Sequence, residues 1–241
     1  MTVGIIVQAR TGSSRLPAKV MMKADDESLM IDYVINQLKH SKLHDEIVVA
    51  TTNLKQDDVI FDYVTNRNIL CFRGDEKNVL ERHYQCAKKY TFSTIVRIPS
   101  DKPLIDPTIV DSVIEKFQSN SYDYISNFSV DVNDNNKFIP SYPSGTEVEI
   151  FSFAALETAW KNATSEHDKE HVTPYIYSNL EKFNILTLKS EKDLSQFRWA
   201  LDYENDLKLI RIIISKIQKR PILMNDILEL FEQEPDLTKI N

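Results

Sequence analysis

Strand-length apolar runs alternate with amphipathic helical segments along the whole chain, which predicts an α/β fold of three layers. A mostly parallel, mixed sheet would be flanked by helices on both faces. Three observations carry this expectation. The runs at 4–9, 46–51, 69–73 and 94–98 are short and rich in Val, Ile and Thr, as in strands covered on both sides. Segments between them space their apolar residues helically, as Leu29, Ile31, Val34, Ile35 and Leu38 do. A chain of 241 residues with 42% hydrophobic and 27% charged content can bury one sizeable core.

Taken in order, a strand over 4–9 leads into a polar loop reaching about residue 19. A helix over 27–41 follows, then a strand over 46–51, a helix over 57–66 and a strand over 69–73. Asp75 is the expected cap of a helix that runs to Tyr90. After the strand at 94–98, Asp106 and Pro107 supply a cap and a first-turn proline for the next helix. Strands are expected at 122–126 and 147–151, and helices at 152–162 and 166–180. Two more strands, at 184–188 and 198–201, precede closing helices at 204–218 and 225–234. Residues 119–145 break the rhythm with Asn, Asp and Ser. Beyond a short strand they read as a long loop or an arm toward a partner subunit. The expectation is therefore one domain over 1–241, with 119–182 as an insertion serving dimerisation or a second substrate.

Composition excludes several classes. The net charge of −7 argues against a nucleic-acid binder, while a local basic site for a small anion remains compatible with it. Cys71 and Cys86 lie in apolar or helical stretches without CxxC spacing, as expected of reduced cysteines in a cytoplasmic protein. The start of the chain lacks the basic region of a signal peptide, and no apolar run has membrane-spanning length. The glycines are Gly4, Gly12, Gly74 and Gly145, so neither a GxGxxG fingerprint nor a Walker A loop can be built. The GxSxG elbow is absent too. Asp131, Asn133 and Asn135 imitate the start of a calcium loop, but Asn136 stands in place of the required Gly and Tyr142 in place of the bidentate Glu.

In an α/β sheet, ligands bind beyond the carboxyl ends of the strands, so the loops there are where chemistry is expected. The first loop reads Gln8-Ala9-Arg10-Thr11-Gly12-Ser13-Ser14-Arg15-Leu16-Pro17-Ala18-Lys19. Arg10, Arg15, Lys19 and Lys23 all precede the first acidic residue, Asp25. Gly12, Ser13 and Ser14 let the backbone approach a ligand, while Arg10, Arg15 and Lys19 can hold phosphate oxygens. Asp101 follows one strand and Asp202 the strand expected at 198–201, and carboxylates at adjoining strand ends suit Mg²⁺ on a triphosphate. Capping offers a bland alternative, clear for Asp106 and open for Asp202. Glu147 and Glu149 share one strand face and could meet acceptor hydroxyls, a metal or solvent. His167, Glu170 and His171 form an H-x-x-E-H pattern. With no third ligand identifiable, it is not taken as a zinc site.

The first loop resembles the signature of the cytidylyltransferase family that includes the spore-coat polysaccharide protein SpsF, QAR followed by G-S-x-R-L-P-x-K. More distantly it is similar to the synthetases that activate sialic acid and ketodeoxyoctonate as CMP-sugars. Further matches are Asp101-x-Pro-Leu-Ile-Asp-Pro, the Arg-x-x-x-Asp ending at Asp202, Tyr142-Pro-x-Gly-x-Glu-Val-Glu149, and Glu170-His171-Val-Thr-Pro-Tyr175. The resemblance implies a GT-A-like nucleotide-diphospho-sugar transferase scaffold. Gln8, Ala9, Arg73 and Gly74 would join the first loop around CTP, with Arg73 and Gly74 beside the base. Mg²⁺ would sit on Asp101 and Asp202. Tyr142, Glu147, Glu149 and His171 would face a sugar-acid acceptor, and the chain would be a homodimer. Lys102 departs from the small residue or Cys expected after Asp101. Rival readings are a glycosyltransferase binding a finished nucleotide sugar and a non-catalytic nucleotide-binding subunit.

Overall fold

Val3, Ile5, Ile6 and Val7 are apolar on both strand faces, so the strand they form can only lie inside a sheet. In the computed structural model, which describes residues 2–131, 134 and 137–241, β1 (Val3–Gln8) is that inner strand. The chain continues through α1 (Met30–Leu38), β2 (Glu46–Thr52), α2 (Asp58–Thr65), β3 (Leu70–Gly74), α3 (Val79–Lys89), β4 (Thr94–Pro99) and α4 (Pro107–Gln118). Then come β5 (Tyr124–Ser126), β6 (Phe128–Asp131), β7 (Lys137–Pro140), β8 (Glu149–Ser152) and α5 (Phe153–Asn162). The remaining elements are α6 (Glu166–His171), α7 (Pro174–Tyr177), β9 (Ile185–Thr187), α8 (Glu204–Lys216) and α9 (Met224–Gln233).

The main sheet has the order β3-β2-β1-β4-β8-β5-β9. Pairing is parallel except where β8 runs against β4 and β5, so the sheet is mixed and mostly parallel as expected. Gln8 pairs with Ala50 and with Pro99, so β1, β2 and β4 end level and their following loops share one edge. On one face Ile31, Val34, Ile35, Val110 and Ile114 of α1 and α4 pack on Ile5, Val7 and Val96. On the other, Leu80, Cys86 and Leu156 cover Ile6, Val48 and Phe151. Gly4 is needed for this second packing, because a Cβ there would stand 2.1 Å from the Phe92 ring. A third cluster joins Trp199, Leu201 and Leu16 to α8 and α9. No helix among the described residues is long and apolar enough to cross a membrane. Cys71 and Cys86 are both free and buried.

Several local expectations need correction. The first helix begins at Met30 rather than residue 27, because Asp25 draws the Glu27 and Ser28 N–H groups into a turn. Asp32 then accepts from the Leu29 N–H at 2.8 Å. Asn78, not Asp75, caps α3. Asp75 instead accepts from the N–H groups of Lys77 and Asn78. The helix expected over 166–180 divides, because buried Val172 adopts φ 74 and Pro174 cannot continue the α6 ladder.

Residues 198–201 form no strand. They thread between two segments, and their one β-bridge to the loop before β8 is Ser144–Arg198. Ser144 accepts from Trp199 N–H, and Asp101 carbonyl accepts from Leu201 N–H at 2.8 Å. Gly145 has φ +111 and lies against Trp199 and Ala200, where a Cβ would come within 2.8–2.9 Å. The described residues of 119–145 carry more regular structure than the loop expected. Besides β5 they carry the antiparallel hairpin β6–β7, in which Val130 pairs with Phe138 and Ser129 with Ile139. Phe138 and Ile139 are 43% and 46% exposed. The calcium-loop comparison falls on Asn133, Asn135 and Asn136, outside the described residues.

Candidate active site

The aligned ends of β1 and β4 open onto a cavity of about 320 Å³. Its wall includes Gln8, Arg10, Gly12, Ser13, Ser14, Arg15 and Lys19 from the first loop. Arg97 and Asp101 from β4 and its following turn, and His171 from the end of α6, complete it. Ala9 lies beneath, 1% exposed, and continues the sheet by donating to the Ala50 carbonyl.

The loop is shaped by bonds that leave the Arg10 head open to the cavity. Thr11 donates from its N–H and its hydroxyl to Asp57 Oδ1, both at 2.7 Å, and the Thr52 hydroxyl donates to Asp57 Oδ2. Asp57 is fully buried, so this carboxylate fixes the loop to the region between β2 and α2. Ala18 N–H returns to the Thr11 carbonyl at 2.9 Å, and Ala18 itself takes φ 54. The Arg10 guanidinium makes no hydrogen bond or ion pair with any described residue and faces the cavity as a free cation. Below it, fully buried Arg82 donates to the Asp75 carbonyl, while its Nε and Nη2 have no partner among the described residues. Burial first, and then Arg10, bring the Arg82 pKa down to about 10.

The two strand-end carboxylates come together. Lys19 Nζ lies 3.2 Å from Asp101 Oδ2 and 3.0 Å from Asp202 Oδ1, and donates to the Leu201 carbonyl at 2.6 Å. Asp202 also receives Arg15 at 2.7 Å and Arg198 at 2.6 Å. Burial alone would raise the Asp202 carboxyl, but Lys19, Arg198 and Arg15 hold it below the usual carboxylate range. Asp206 accepts from the Asp202 and Tyr203 N–H groups at 2.8 Å, which fixes the entry into α8.

A second cavity of about 240 Å³ adjoins the first, and Arg97, Pro99 and Asp101 line both. Glu147, Glu149, Lys102 and Asp202 face it, with Phe128 and Phe138 of the hairpin opposite. Both glutamates are buried, not solvated: Glu149 pairs with Arg97 and accepts from Tyr124 and Thr173 at 2.8 and 2.6 Å. Glu147 binds Lys102 at 3.1 Å and accepts from Gly145 N–H at 2.9 Å. Burial opposes ionisation of Glu147, yet Lys102 and those backbone bonds keep its pKa lowered.

Not every expected residue joins this site. Arg73 is engaged with Thr52, Leu54 and Asp58, and Gly74 packs on Arg82; neither lines these cavities. Tyr142 faces a separate cavity of about 830 Å³ between Lys189–Phe197 and α9. His171 opens onto the first cavity rather than the second. Burial of its ring and then His167, 4.6 Å away between ring centroids, lower its pKa. Among the described residues no three His, Cys, Asp or Glu are grouped to hold a metal. Two anionic oxygen donors meeting at one ammonium fit a hard divalent cation whose remaining ligands are phosphate oxygens and water. Arg97 and Asp57 were not singled out from sequence, and Arg198 only as the Arg of the Arg-x-x-x-Asp stretch ending at Asp202. Arg97 carried a signal, being a cation inside the apolar strand Thr-Ile-Val-Arg-Ile-Pro.

A sequence model described as Cytidylyltransferase matches residues 4–233. An uncharacterised protein of Methanocaldococcus jannaschii is 35% identical over 98% of this chain and 93% of its own length. The spore coat polysaccharide biosynthesis protein SpsF of Bacillus subtilis is 26% identical over 96% of this chain and 94% of its own. Among solved structures, a cytidylyltransferase of Leptospira borgpetersenii superposes with a TM-score of 0.90 at 29% identity, covering 99% of this chain and 97% of that one. CMP:2-keto-3-deoxy-manno-octonic acid synthetase complexed with CTP shares the fold, with a TM-score of 0.68 at 16% identity over 90% of this chain and 99% of that one.

Proposed function

This chain belongs to the cytidylyltransferase family, and from that premise we propose that it joins CTP to a sugar acid with Mg²⁺, releasing pyrophosphate, for a surface polysaccharide. The observation that carries the reading is the pair of cavities divided at Asp101, one basic and one bearing glutamates and aromatic rings. CTP belongs in the first, its phosphates over the free Arg10 and the Ser13–Ser14 turn. The acceptor belongs in the second, between the Phe128 and Phe138 rings and the Glu147 and Glu149 carboxylates. An acceptor oxygen then reaches the α-phosphorus beside Asp101. The new P–O bond forms there as the bond from the α-phosphorus to the pyrophosphate oxygen breaks, and the acceptor proton leaves to solvent. Asp101 and Asp202 would hold Mg²⁺, which would neutralise the phosphate charge that grows as pyrophosphate departs. The chain's own contribution is mostly positioning and fixed charge.

The sugar-acid class rests on the shared fold of the octonic acid synthetase and on the resemblance in sequence. The polysaccharide setting rests on SpsF. A homodimer is part of the same reading, with exposed Phe138 and Ile139 as its supporting apolar surface.

Thermal unfolding with CTP, UTP, ATP and GTP, each with and without Mg²⁺, tests the nucleotide. At one hundred times its Kd a ligand adds about 2.7 kcal/mol of stability. A shift with CTP alone, altered by Mg²⁺, is expected. A shift only with nucleoside diphosphates or nucleotide sugars would move the chain to the glycosyltransferases, and none at all to a non-catalytic subunit. Arg10→Ala should weaken CTP binding by about 1.5–3 kcal/mol, the worth of a charged hydrogen bond. Calorimetric titration reads this as roughly 10- to 100-fold in Kd, and an unchanged Kd removes Arg10 from the phosphate site.

A further inference from the structure

An ammonium has three N–H donors, and Lys19, although it lines the nucleotide cavity, uses all of them on the protein itself. They go to Asp101 Oδ2, Asp202 Oδ1 and the Leu201 carbonyl. The Lys19 side chain is 11% exposed, so little water competes for these bonds. Arg15 shares Asp202 Oδ1 and Arg198 occupies Oδ2. Asp101 Oδ2 and both Asp202 oxygens, three of the four that a divalent cation could use, are therefore held by monovalent cations tethered to the chain. The close approach of Asp101 and Asp202, costly for two bare carboxylates, is itself a product of the ammonium between them.

We propose that Lys19 is an internal counter-ion that keeps the carboxylate pair assembled and closed to divalent cations until nucleotide phosphates draw its ammonium away. The inference rests on the reading of Asp101 and Asp202 as the metal-holding pair. A divalent cation sits about 2.0–2.1 Å from its oxygens when it is Mg²⁺, inside the shell Lys19 now fills, and the like charges cannot share it. Alone, such an ion must shed water and also expel an ammonium that would need another anion. Triphosphate oxygens in the adjoining cavity provide that anion. Lys19 can turn to them on its flexible four-carbon stem without leaving its place in the fold. Cation and nucleotide then enter together, and neither carboxylate is ever left without a counter-charge.

Mn²⁺ is a suitable probe, because its spin-resonance signal is lost on binding to the protein. Wild-type protein without nucleotide is expected to take up Mn²⁺ weakly. With CTP it should take up Mn²⁺ beyond what the free nucleotide binds, and Asp101→Asn should abolish that excess. Lys19→Met without nucleotide should bind Mn²⁺ more tightly than wild type by a factor within the usual coupling range of about 5- to 150-fold. Uptake by Lys19→Met no tighter than by wild type overturns the counter-ion role while leaving the metal site standing. So does wild-type uptake as tight without CTP as with it, a comparison that needs no variant to fold. No excess uptake by any form with CTP overturns both the counter-ion role and the metal site.

Discussion

Asp101→Asn is expected to cut CTP-dependent pyrophosphate release by about 10²- to 10³-fold, the usual loss when one charge-stabilising group of an active site is removed. Unfolding should change little, since Asp101 is 30% exposed at its side chain and its carboxylate bonds only to Lys19, at 3.2 Å. CTP affinity measured without Mg²⁺ should stay within a few-fold, because the nucleotide's other contacts come from the first loop. Asp202→Asn should lose activity to a similar extent but also stability, by about 1–3 kcal/mol. Lys19, Arg15 and Arg198 all converge on that carboxylate, and an amide can answer them with one oxygen only. Stopped assays of pyrophosphate, run beside urea unfolding, separate the two effects. Wild-type rates in both variants would remove the carboxylates from the reaction.

Lys102→Met is expected to be the more damaging change to the fold itself. Lys102 is 8% exposed and Glu147 9%, and the ammonium donates to both the Glu147 carboxylate and its carbonyl. Removing one member of a buried pair leaves a charge without a partner, which costs about 3–5 kcal/mol. Lys102→Met combined with Glu147→Gln should recover most of this, because the amide oxygen still accepts from Gly145 N–H and no charge is stranded. Denaturant midpoints of the two single variants and the double form a cycle that measures the coupling. If Lys102→Met alone matches wild type, the pair does not support the acceptor-side wall.

How much of this was legible follows from how local each signal is. The first four parallel strands and the helices between them announce themselves through apolar period and β-branching, and they form nearly where expected. Grouping of Arg10, Arg15 and Lys19 was readable because it lies in one loop. That Lys19 faces Asp101 and Asp202 was not, since the contact spans 82 and 183 residues and depends on where 197–202 threads. The hairpin was hidden because Asn and Asp dominate the sequence between its strands, while Phe128, Val130 and Phe138 carry its pairing. Asp57 was hidden because a buried acid that accepts three hydrogen bonds looks in sequence like any helix-opening aspartate. Arg73 misled in the opposite direction, as its cationic head is consumed by two carbonyls and Asp58.

The path of 197–202 between Ser144 and Asp101 has a consequence for the chain while it is being made. The basic loop leaves the ribosome early, and β1, β2 and β4 can align their ends once residue 99 has followed. Asp202 is 183 residues behind Lys19, a delay of roughly 10–40 s at about 5–20 residues per second. For that interval Arg15 has no aspartate and Lys19 has only Asp101, so the nascent chain displays under-neutralised cations beside the polyanion of ribosomal RNA. The last quarter of the chain is thus what quiets the loop. A chain stalled short of it would keep an unquieted, phosphate-seeking basic loop within a fragment that is acidic overall.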